Sequence, residues 1–369
     1  MSRTPPKLEL VSVRKAYDGG RVVAVDDLSL TLEPGQTLAL LGPSGCGKST
    51  TLAMIVGLET PSSGEILIDG VSVLDVPPGR RNVGLVFQDY AVFGHMTVEE
   101  NLAFGLAVRG INRRTIRARV RETAELLGLE RLLTAPASRL GGSELQRVAI
   151  GRTLVTRPAL LLLDEPLSNL EAEMRQTMRR ELRRLQAETG LTIVYVTHDQ
   201  IEALSLAQRI AVMNEGRLRQ CDRTEIVYEQ PAHVFVAGFI GDPPMNLVPG
   251  TIAAEAACPT FRSGGLHVRL APSVPPHLAG RPVVLGVRPD AIRFAPPAAG
   301  VPGLVRSIEL RGGEAVAAVD VEGCMLAVVA AAHGRPTEGE RVWLDFDRER
   351  IALFAPDTGR NLGAAQPWA

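Results

Sequence analysis

Apolar residues along this chain fall into two periods, and the change between them divides it. Residues 8–13 and 28–32 alternate apolar and polar positions, as half-buried strands do. Residues 38–41 are apolar without a break, and residues 160–163 are four leucines. Such runs fit strands of a parallel sheet covered on both faces. Residues 83–87 and 192–196 read the same way, and 66–68 before Asp69-Gly70 predict a strand and turn. From 97 to 156 the period becomes helical. Thr97-Val98-Glu99-Glu100 has capping-box spacing, and residues 116–127 repeat apolar positions until Gly128 closes them. A further helix is expected over 145–155. Ser143-Glu144-Leu145-Gln146 has capping-box spacing too and predicts that this helix starts at Ser143. Residues 173–188 predict a charged amphipathic helix. Residues 210–213 and 217–220, around Asn214-Glu215-Gly216, predict a hairpin.

Past residue 240 the pattern changes again. Glycine, proline and alanine rise and helical periods vanish. Residues 283–287, 303–310, 315–321 and 341–346 predict short strands between turns, as in a small barrel or sandwich. The expected organisation is an α/β domain over 1–240, with a helical insert over about 89–157, and a β-rich domain over 241–369. A length of 369 residues suits two or three domains, and 45% apolar residues suffice for proper cores.

Charge and cysteine narrow the chemistry. The formal net charge is −1, so no general field for nucleic acid exists. The Arg-rich stretches 113–121 and 175–184 alternate with apolar and acidic residues, as solvated helix faces do, and no nucleic-acid partner is expected. The four cysteines lie far apart without C-x-x-C spacing, which indicates neither a disulfide framework nor zinc. No signal-peptide pattern opens the chain, and no apolar run reaches the roughly 18 residues of a membrane span. A cytosolic protein is expected, associated with a membrane only through a partner.

The densest chemistry is Gly42-Pro43-Ser44-Gly45-Cys46-Gly47-Lys48-Ser49-Thr50. It lies between the apolar run 38–41 and a helix-like run 51–56, the strand–loop–helix context of a phosphate site. The glycines let successive backbone N–H groups converge, and the following helix adds its free amides and positive end. Lys48 would reach the β- and γ-phosphates, and the Ser49 hydroxyl would ligate Mg²⁺. Only three of the 40 basic residues are lysines, Lys7, Lys15 and Lys48. Lysine at 48 therefore runs against the chain's own preference, and a compact ammonium fits between phosphates where a planar guanidinium does not. Cys46 reads as a small loop residue. Asp164-Glu165 ends the four-leucine run, where an Asp can hold Mg²⁺ and a Glu can polarise water. Thr197-His198-Asp199 ends the run 192–196, at the strand end where open α/β sheets keep ligands. Gln88 ends the run 83–87 as a polar amide able to face a ligand. Tyr17 can stack on an adenine or simply fill a turn.

Taken in order over roughly residues 8–240, these motifs resemble the nucleotide-binding subunits of ABC importers. The resemblance implies an α/β P-loop NTPase with a RecA-like core, antiparallel β and helical subdomains, followed by an all-β OB-like regulatory domain. Lys48 and Ser49 match Walker A, Gln88 the Q-loop, Asp164 and Glu165 Walker B with its catalytic glutamate. Ser168-Asn169-Leu170-Glu171 is similar to the D-loop, with Glu171 where Asp is usual. His198 matches the switch histidine and Tyr17 the adenine-stacking aromatic. Implied cofactors are ATP and Mg²⁺, the latter held by Ser49, Gln88 and Asp164. Glu165, His198 and Gln88 take the catalytic roles. Phe235-Val236-Ala237-Gly238-Phe239-Ile240-Gly241, Pro244-Met245-Asn246, Gly286-Val287-Arg288-Pro289-Asp290 and Phe354 with Thr358-Gly359 resemble carbohydrate-importer ATPases of the maltose and glycerol-3-phosphate type. Polyamine and ferric-ion importer ATPases are similar too. Expected partners are a second ATPase subunit (a copy or a paralogue), two transmembrane permeases and, indirectly, a solute-binding protein. The expected place is the cytoplasmic face of the inner membrane, with the stretch 88–96 meeting a permease. Non-transport ABC ATPases usually carry tandem cassettes or a coiled-coil insert, and this chain has neither.

The chain departs from the family at its signature, Leu-Ser-Gly-Gly-Gln, which becomes Leu140-Gly141-Gly142-Ser143-Glu144 ahead of Gln146-Arg147-Val148-Ala149. An alternative register keeps Gly141-Gly142 as the glycine pair and inserts one residue before the helix. In the family this segment closes on the γ-phosphate held by the other subunit, so Gly141, Gly142 and Ser143 join the expected nucleotide contacts. A hydroxyl donor is lost, Glu144 adds negative charge, and a side chain at 143 costs about 1–2 kcal/mol if φ is positive there. Weakened turnover, or pairing with an intact paralogue, follows as an expectation.

Overall fold

The computed structural model describes residues 5–253, 258–297 and 299–363. It divides into two compact units, Met1–Thr224 and Glu225–Ala369.

The unbroken apolar runs become the interior of the first unit. Strands β1 (Leu8–Tyr17) and β2 (Val22–Leu32) precede β3 (Thr37–Leu41), α1 (Lys48–Val56), β4 (Ser63–Ile68), β5 (Val71–Ser72) and β6 (Val83–Val86). Helices α2 (Val98–Val108), α3 (Arg113–Leu127) and α4 (Gly142–Leu154) follow. After them come β7 (Leu160–Asp164), α5 (Ala172–Thr189), β8 (Ile193–Thr197), α6 (Gln200–Leu206), β9 (Arg209–Asn214) and β10 (Arg217–Arg223). One sheet is antiparallel, in the order β2-β1-β4-β5. The other runs β10-β9-β3-β8-β7-β6, parallel except for the β9–β10 hairpin. Every residue of β3 and β8 is buried, as are the four leucines of β7. Polar residues there would have no water to face, so the chain spells these strands without alternation. A single core joins both sheets to α1 through Leu10, Leu28, Leu52, Met54, Leu160 and Val194.

Helices α2, α3 and α4 enclose a separate core of Val98, Leu102, Leu106, Val120 and Val148. Thr97 and Glu100 cap α2 reciprocally, as their spacing predicts. Asn112 caps α3, and Gly128 ends it with φ 63°. The start of α4 corrects the sequence reading. The helix begins at Gly142 with Gly141 as its extended N-cap, not at Ser143. Glu144 Oε2 accepts the Gly141 N–H at 2.9 Å. Glycine has no side chain to return the bond, so only half of a capping box forms. Gln146, the residue the Ser143 start required, is fully buried and turned inward instead. Ser143 lies in helical backbone, so no left-handed cost arises there.

Arg81, which sequence reasoning passed over, fixes the far end of α1. It is 7% exposed and donates to Met54 O, Ile55 O and Val76 O at 2.8, 3.1 and 2.7 Å. The last carbonyls of a helix lack partners and carry partial negative charge, which a guanidinium satisfies as a fork. Gly57 ends α1 at φ +90°, and a Cβ on it would lie 2.5 Å from Arg81 Cζ.

Among its described residues the second unit carries helices α7 (Thr224–Glu229) and α8 (Val234–Phe239), then ten strands. These are β11 (Asn246–Ala253), β12 (Thr260–Ser263), β13 (Leu266–Arg269), β14 (Pro282–Val287), β15 (Ile292–Ala295), β16 (Val301–Arg311), β17 (Glu314–Val321), β18 (Cys324–Ala331), β19 (Arg341–Phe346) and β20 (Ile351–Phe354). They form two antiparallel five-stranded sheets, β13-β12-β11-β14-β20 and β15-β19-β16-β17-β18. Their inward residues share one core, including Ile252, Phe261, Leu285, Val319, Val328 and Leu344. Arg288 repeats the device of Arg81. It is 2% exposed, donates to Tyr228 O at 2.7 Å and to Ile240 O, and lies 4.3 Å over the Tyr228 ring. Arg288 thus holds the carboxyl ends of both α7 and α8.

Replacing Arg81 by Leu strands several buried carbonyls and should lower stability by about 3 kcal/mol or more. Arg81→Lys should recover little, because one ammonium cannot span the fork. Urea unfolding of the two variants beside the parent checks both statements.

Candidate active site

The parallel sheet decides where the predicted residues meet. Leu41 pairs with Thr197 and Asp164 with Val196, so β3, β7 and β8 end side by side. Gly42, Glu165 and His198 are therefore the first residues beyond three adjacent strand ends, the position where open α/β sheets bind ligands.

The loop 42–50 is shaped by what its glycines touch. A Cβ on Gly42 would lie 2.3 Å from Met213 O, and one on Gly47 would lie 2.4 Å from Ala24 O. Gly45 and Gly47 have φ +78° and +102°, open to glycine and strained for other residues. Gly47 is the N-cap of α1 and supplies no side-chain acceptor, so the first amides of that helix point into the loop uncapped. Lys48 is 6% exposed, and its Nζ donates to Gly42 O at 2.7 Å and Pro43 O at 2.9 Å. Ser44, Gly45 and Ser49 face solvent, while Pro43 and Thr50 are half-buried. Cys46 is buried, and burial pushes its thiol pKa up despite Lys48 nearby. It is a packing residue, as its place in the loop suggests. The uncapped helix end, the lysine and the two glycines with no room for a side chain together fit a polyphosphate.

Asp164 lies within electrostatic reach of that lysine, with Glu165 next to it in sequence. Burial raises the Asp164 pKa, the neighbouring Glu165 charge raises it further, and Lys48 lowers it. The Lys48 influence marks the two groups as electrostatic neighbours although they lie far apart in sequence. Glu165 has φ 43°, and its N–H donates to Val196 O at 2.9 Å. The turn aims its carboxylate at β8, where Glu165 Oε1 lies 3.0 Å from His198 Nδ1. The imidazole is 59% exposed and the carboxylate 22%. With Nδ1–H committed to the carboxylate, Nε2 accepts from water in the neutral ring and donates to a phosphate oxygen only as imidazolium.

Gln88 is exposed two residues past β6, and its backbone carbonyl accepts from Asn169 Nδ2 at 2.8 Å. Ser168 Oγ donates to Glu165 O at 2.9 Å, which continues the link toward the acidic pair. Beyond Gln88 the segment is held from within. Asn101, fully buried, clamps Phe93 N and O, and Arg152 donates to Ala91 O while lying 4.3 Å over the Phe93 ring. Sequence reading singled out neither residue, because each looks like an ordinary helix position. Gly94 has no positive φ, and a Cβ on it would meet only Ser138 Cβ at 4.0 Å, so its backbone does not demand glycine.

Two predicted contacts stay outside this cluster. Tyr17 ends β1 half-buried, with Lys15 Nζ 4.8 Å above its ring. Among the described residues no hydrogen bond or ion pair joins it, or Gly141, Gly142 and Ser143, to the loop 42–50. The α4 start meets Glu144 and the D-loop instead, with Leu170 Cδ2 3.3 Å from where a Gly142 Cβ would sit. No group of three or more His, Cys, Asp or Glu gathers for a metal among the described residues. Mg²⁺ does not require such a group, since it takes one or two protein oxygens and completes its shell with phosphates and water. Ser49 and Asp164 are the donors available at the loop, with Gln88 beside Asn169.

Comparison with known proteins agrees along the chain. Residues 25–168 match the ABC transporter family, residues 241–292 the MalK OB fold domain and residues 285–354 the TOBE domain. The chain is 44% identical to the trehalose/maltose import ATP-binding protein MalK of Thermococcus litoralis, with 96% of this chain and 99% of that protein covered. It is 45% identical to the sn-glycerol-3-phosphate import ATP-binding protein UgpC of Burkholderia lata, with the same coverage. Among solved structures, the cbiO1 subunit of the cbiONQ ABC transporter complex of Clostridium perfringens superposes with TM-score 0.57 at 30% identity, covering 60% of this chain and 90% of that one.

Gly47→Ala puts a methyl against Ala24 O and a side chain on left-handed backbone. Mg-ATP affinity should fall about tenfold or more, read by calorimetry. Parental affinity in that variant would mean the loop is not the cradle.

Proposed function

The chain belongs to the ABC transporter family, and on that premise we propose that it binds and hydrolyses ATP to energise uptake of a carbohydrate or glycerol-phosphate-like solute through partner permeases. The observation that carries the hydrolytic reading is the 3.0 Å contact of His198 with Glu165, next to Asp164, which lies within electrostatic reach of Lys48.

Each residue takes a role its geometry allows. Amides of the loop 42–50 and of the first turn of α1 receive the phosphates, and Lys48 exchanges its loop carbonyls for phosphate oxygens. Ser49, Asp164 and Gln88 would hold Mg²⁺, which when bound would neutralise charge building on the phosphate oxygens. Glu165 takes a proton from the attacking water and orients it. His198 bridges that carboxylate and the γ-phosphate. Tyr17 stacks on the adenine. Phosphoryl transfer asks for positioning and neutralisation more than covalent chemistry, and rigid strand ends supply both.

Two copies would bring the α4 start of one to the nucleotide of the other, and the segment 88–96 would meet the permeases at the cytoplasmic face of the membrane. No helix among the described residues is long and apolar enough to cross a membrane. The sugar and glycerol-phosphate names of the relatives support that solute class over polyamines or ferric ion.

One observation favours a second reading, a subunit of restrained activity. The Glu144 carboxylate sits on the Gly141 N–H, where an incoming γ-phosphate would be received. Gly141→Ser combined with Ser143→Gly should raise turnover of the purified subunit roughly tenfold, the worth of one hydrogen-bond donor. Equal rates would remove the idea. For the main reading, Glu165→Gln should keep ATP binding and cut turnover about a hundredfold or more. Turnover at the parental rate would refute the role of Glu165.

A further inference from the structure

Behind His198 lies a carboxylate that the hydrolytic scheme leaves unused. Glu202, in the first turn of α6, is 3% exposed. Its Oε2 accepts from the Tyr195 hydroxyl at 2.5 Å and from the Thr197 hydroxyl at 2.9 Å. Both donors are buried, at 1% and 2% exposure. Thr197 Oγ1 accepts in turn from the Asp199 N–H at 2.9 Å. Asp199 Oδ1 takes the amides of Ile201 and Glu202 at 2.8 and 3.2 Å. His198 sits between the two residues tied by this chain of bonds.

The helix does not need Glu202 for its own start. Asp199 is the N-cap and already satisfies two orphan amides. In an ordinary capping box the acid at the third helical position returns to the N-cap N–H itself. Here that N–H is taken by Thr197 Oγ1, and Glu202 stands one hydroxyl further back. Nor does packing call for an acid. A buried carboxylate whose partners are hydroxyls rather than a cation is expensive, and an apolar side chain would fill the same space. What a carboxylate adds is direction, because it only accepts. It draws the Thr197 hydroxyl hydrogen toward itself and leaves that oxygen's lone pairs for the Asp199 N–H. The peptide groups on either side of His198 are thereby fixed to the end of β8, while the ring itself is 59% exposed and meets Glu165 Oε1 at 3.0 Å.

We propose that Glu202, acting through Thr197, is a positioning residue that holds the Thr197-His198-Asp199 turn so that the imidazole stays on Glu165. The proposal rests on the reading of Glu165 and His198 as the hydrolytic pair. Glu202 is buried behind that turn and bonded to two hydroxyls, so it governs the rate of the chemical step and not the affinity for ATP.

The test uses the purified full-length chain with Mg-ATP. Glu202→Leu and the isosteric Thr197→Val should each lower kcat about tenfold or more, with KM for ATP within about twofold of the parent. Glu202→Gln and Thr197→Ser keep the acceptor and the hydroxyl, and should stay within about threefold of the parent. Because both losses break one relay, the Thr197→Val, Glu202→Leu double variant should be about as slow as the slower single one. A folded Thr197→Val or Glu202→Leu protein with kcat within about threefold of the parent overturns the proposal, as does a double variant whose loss is the product of the two. If Glu202→Leu does not fold, Thr197→Val carries the test. Glu165→Gln run alongside separates the two claims. Parental turnover there sinks the hydrolytic reading, whereas an inactive Glu165→Gln with an unaffected Thr197→Val sinks only the positioning role.

Discussion

The parallel pairing of β3, β8 and β7 is the constraint from which the rest follows. Three strands without polar alternation can only lie side by side inside the molecule, covered above and below. Parallel pairing then sends all three chain exits to one edge. Lysine, acidic pair and histidine, distant in sequence, become neighbours because their strands have no other place to end. The site is thus a by-product of burial. Mechanism is concentrated where apolar spelling stops and the backbone must turn.

What surrounds that edge is fixed by polar groups working on backbone, not by more apolar contact. Arg81 ties down the far end of the helix that begins at the loop 42–50. Asn101 and Arg152 hold the segment after β6. Glu202 and Thr197 hold the turn after β8. Arg288 does the same service for α7 and α8 in the second unit. The chain's preference for arginine fits this pattern, since a planar fork can gather several carbonyls at once. The one lysine at a phosphate loop stands where a compact charge is needed.

Legibility in the sequence follows the same division. Unbroken strands and the glycine loop were readable, because burial on two faces and positive φ restrict residue choice severely. So were the start of α2 and the end of α3, whose capping residues are local, whereas α3 begins at Arg113 behind the Asn112 cap, three residues before the apolar repeat at 116. The start of α4 differs by one residue, because Ser143-Glu144-Leu145-Gln146 satisfies the capping rule in full and Gly141 with Glu144 only in half, yet tertiary burial of Gln146 selects the latter. In the second unit β16, β17 and β19 were visible through alternation, whereas β12, β13, β15 and β20 are four residues each and carry too few positions to show a period. Arg81 and Glu202 left no local trace. Their meaning lies in carbonyls and hydroxyls that only the fold brings near them.

The hydrogen bonds from Lys48 Nζ to Gly42 O and Pro43 O have a thermodynamic consequence. The chain's own ammonium braces the loop by gathering two of its carbonyls, so the curvature is held by bonds within the loop itself. An incoming triphosphate therefore trades partners with that ammonium instead of recruiting a disordered arm, and little ordering entropy is charged against association.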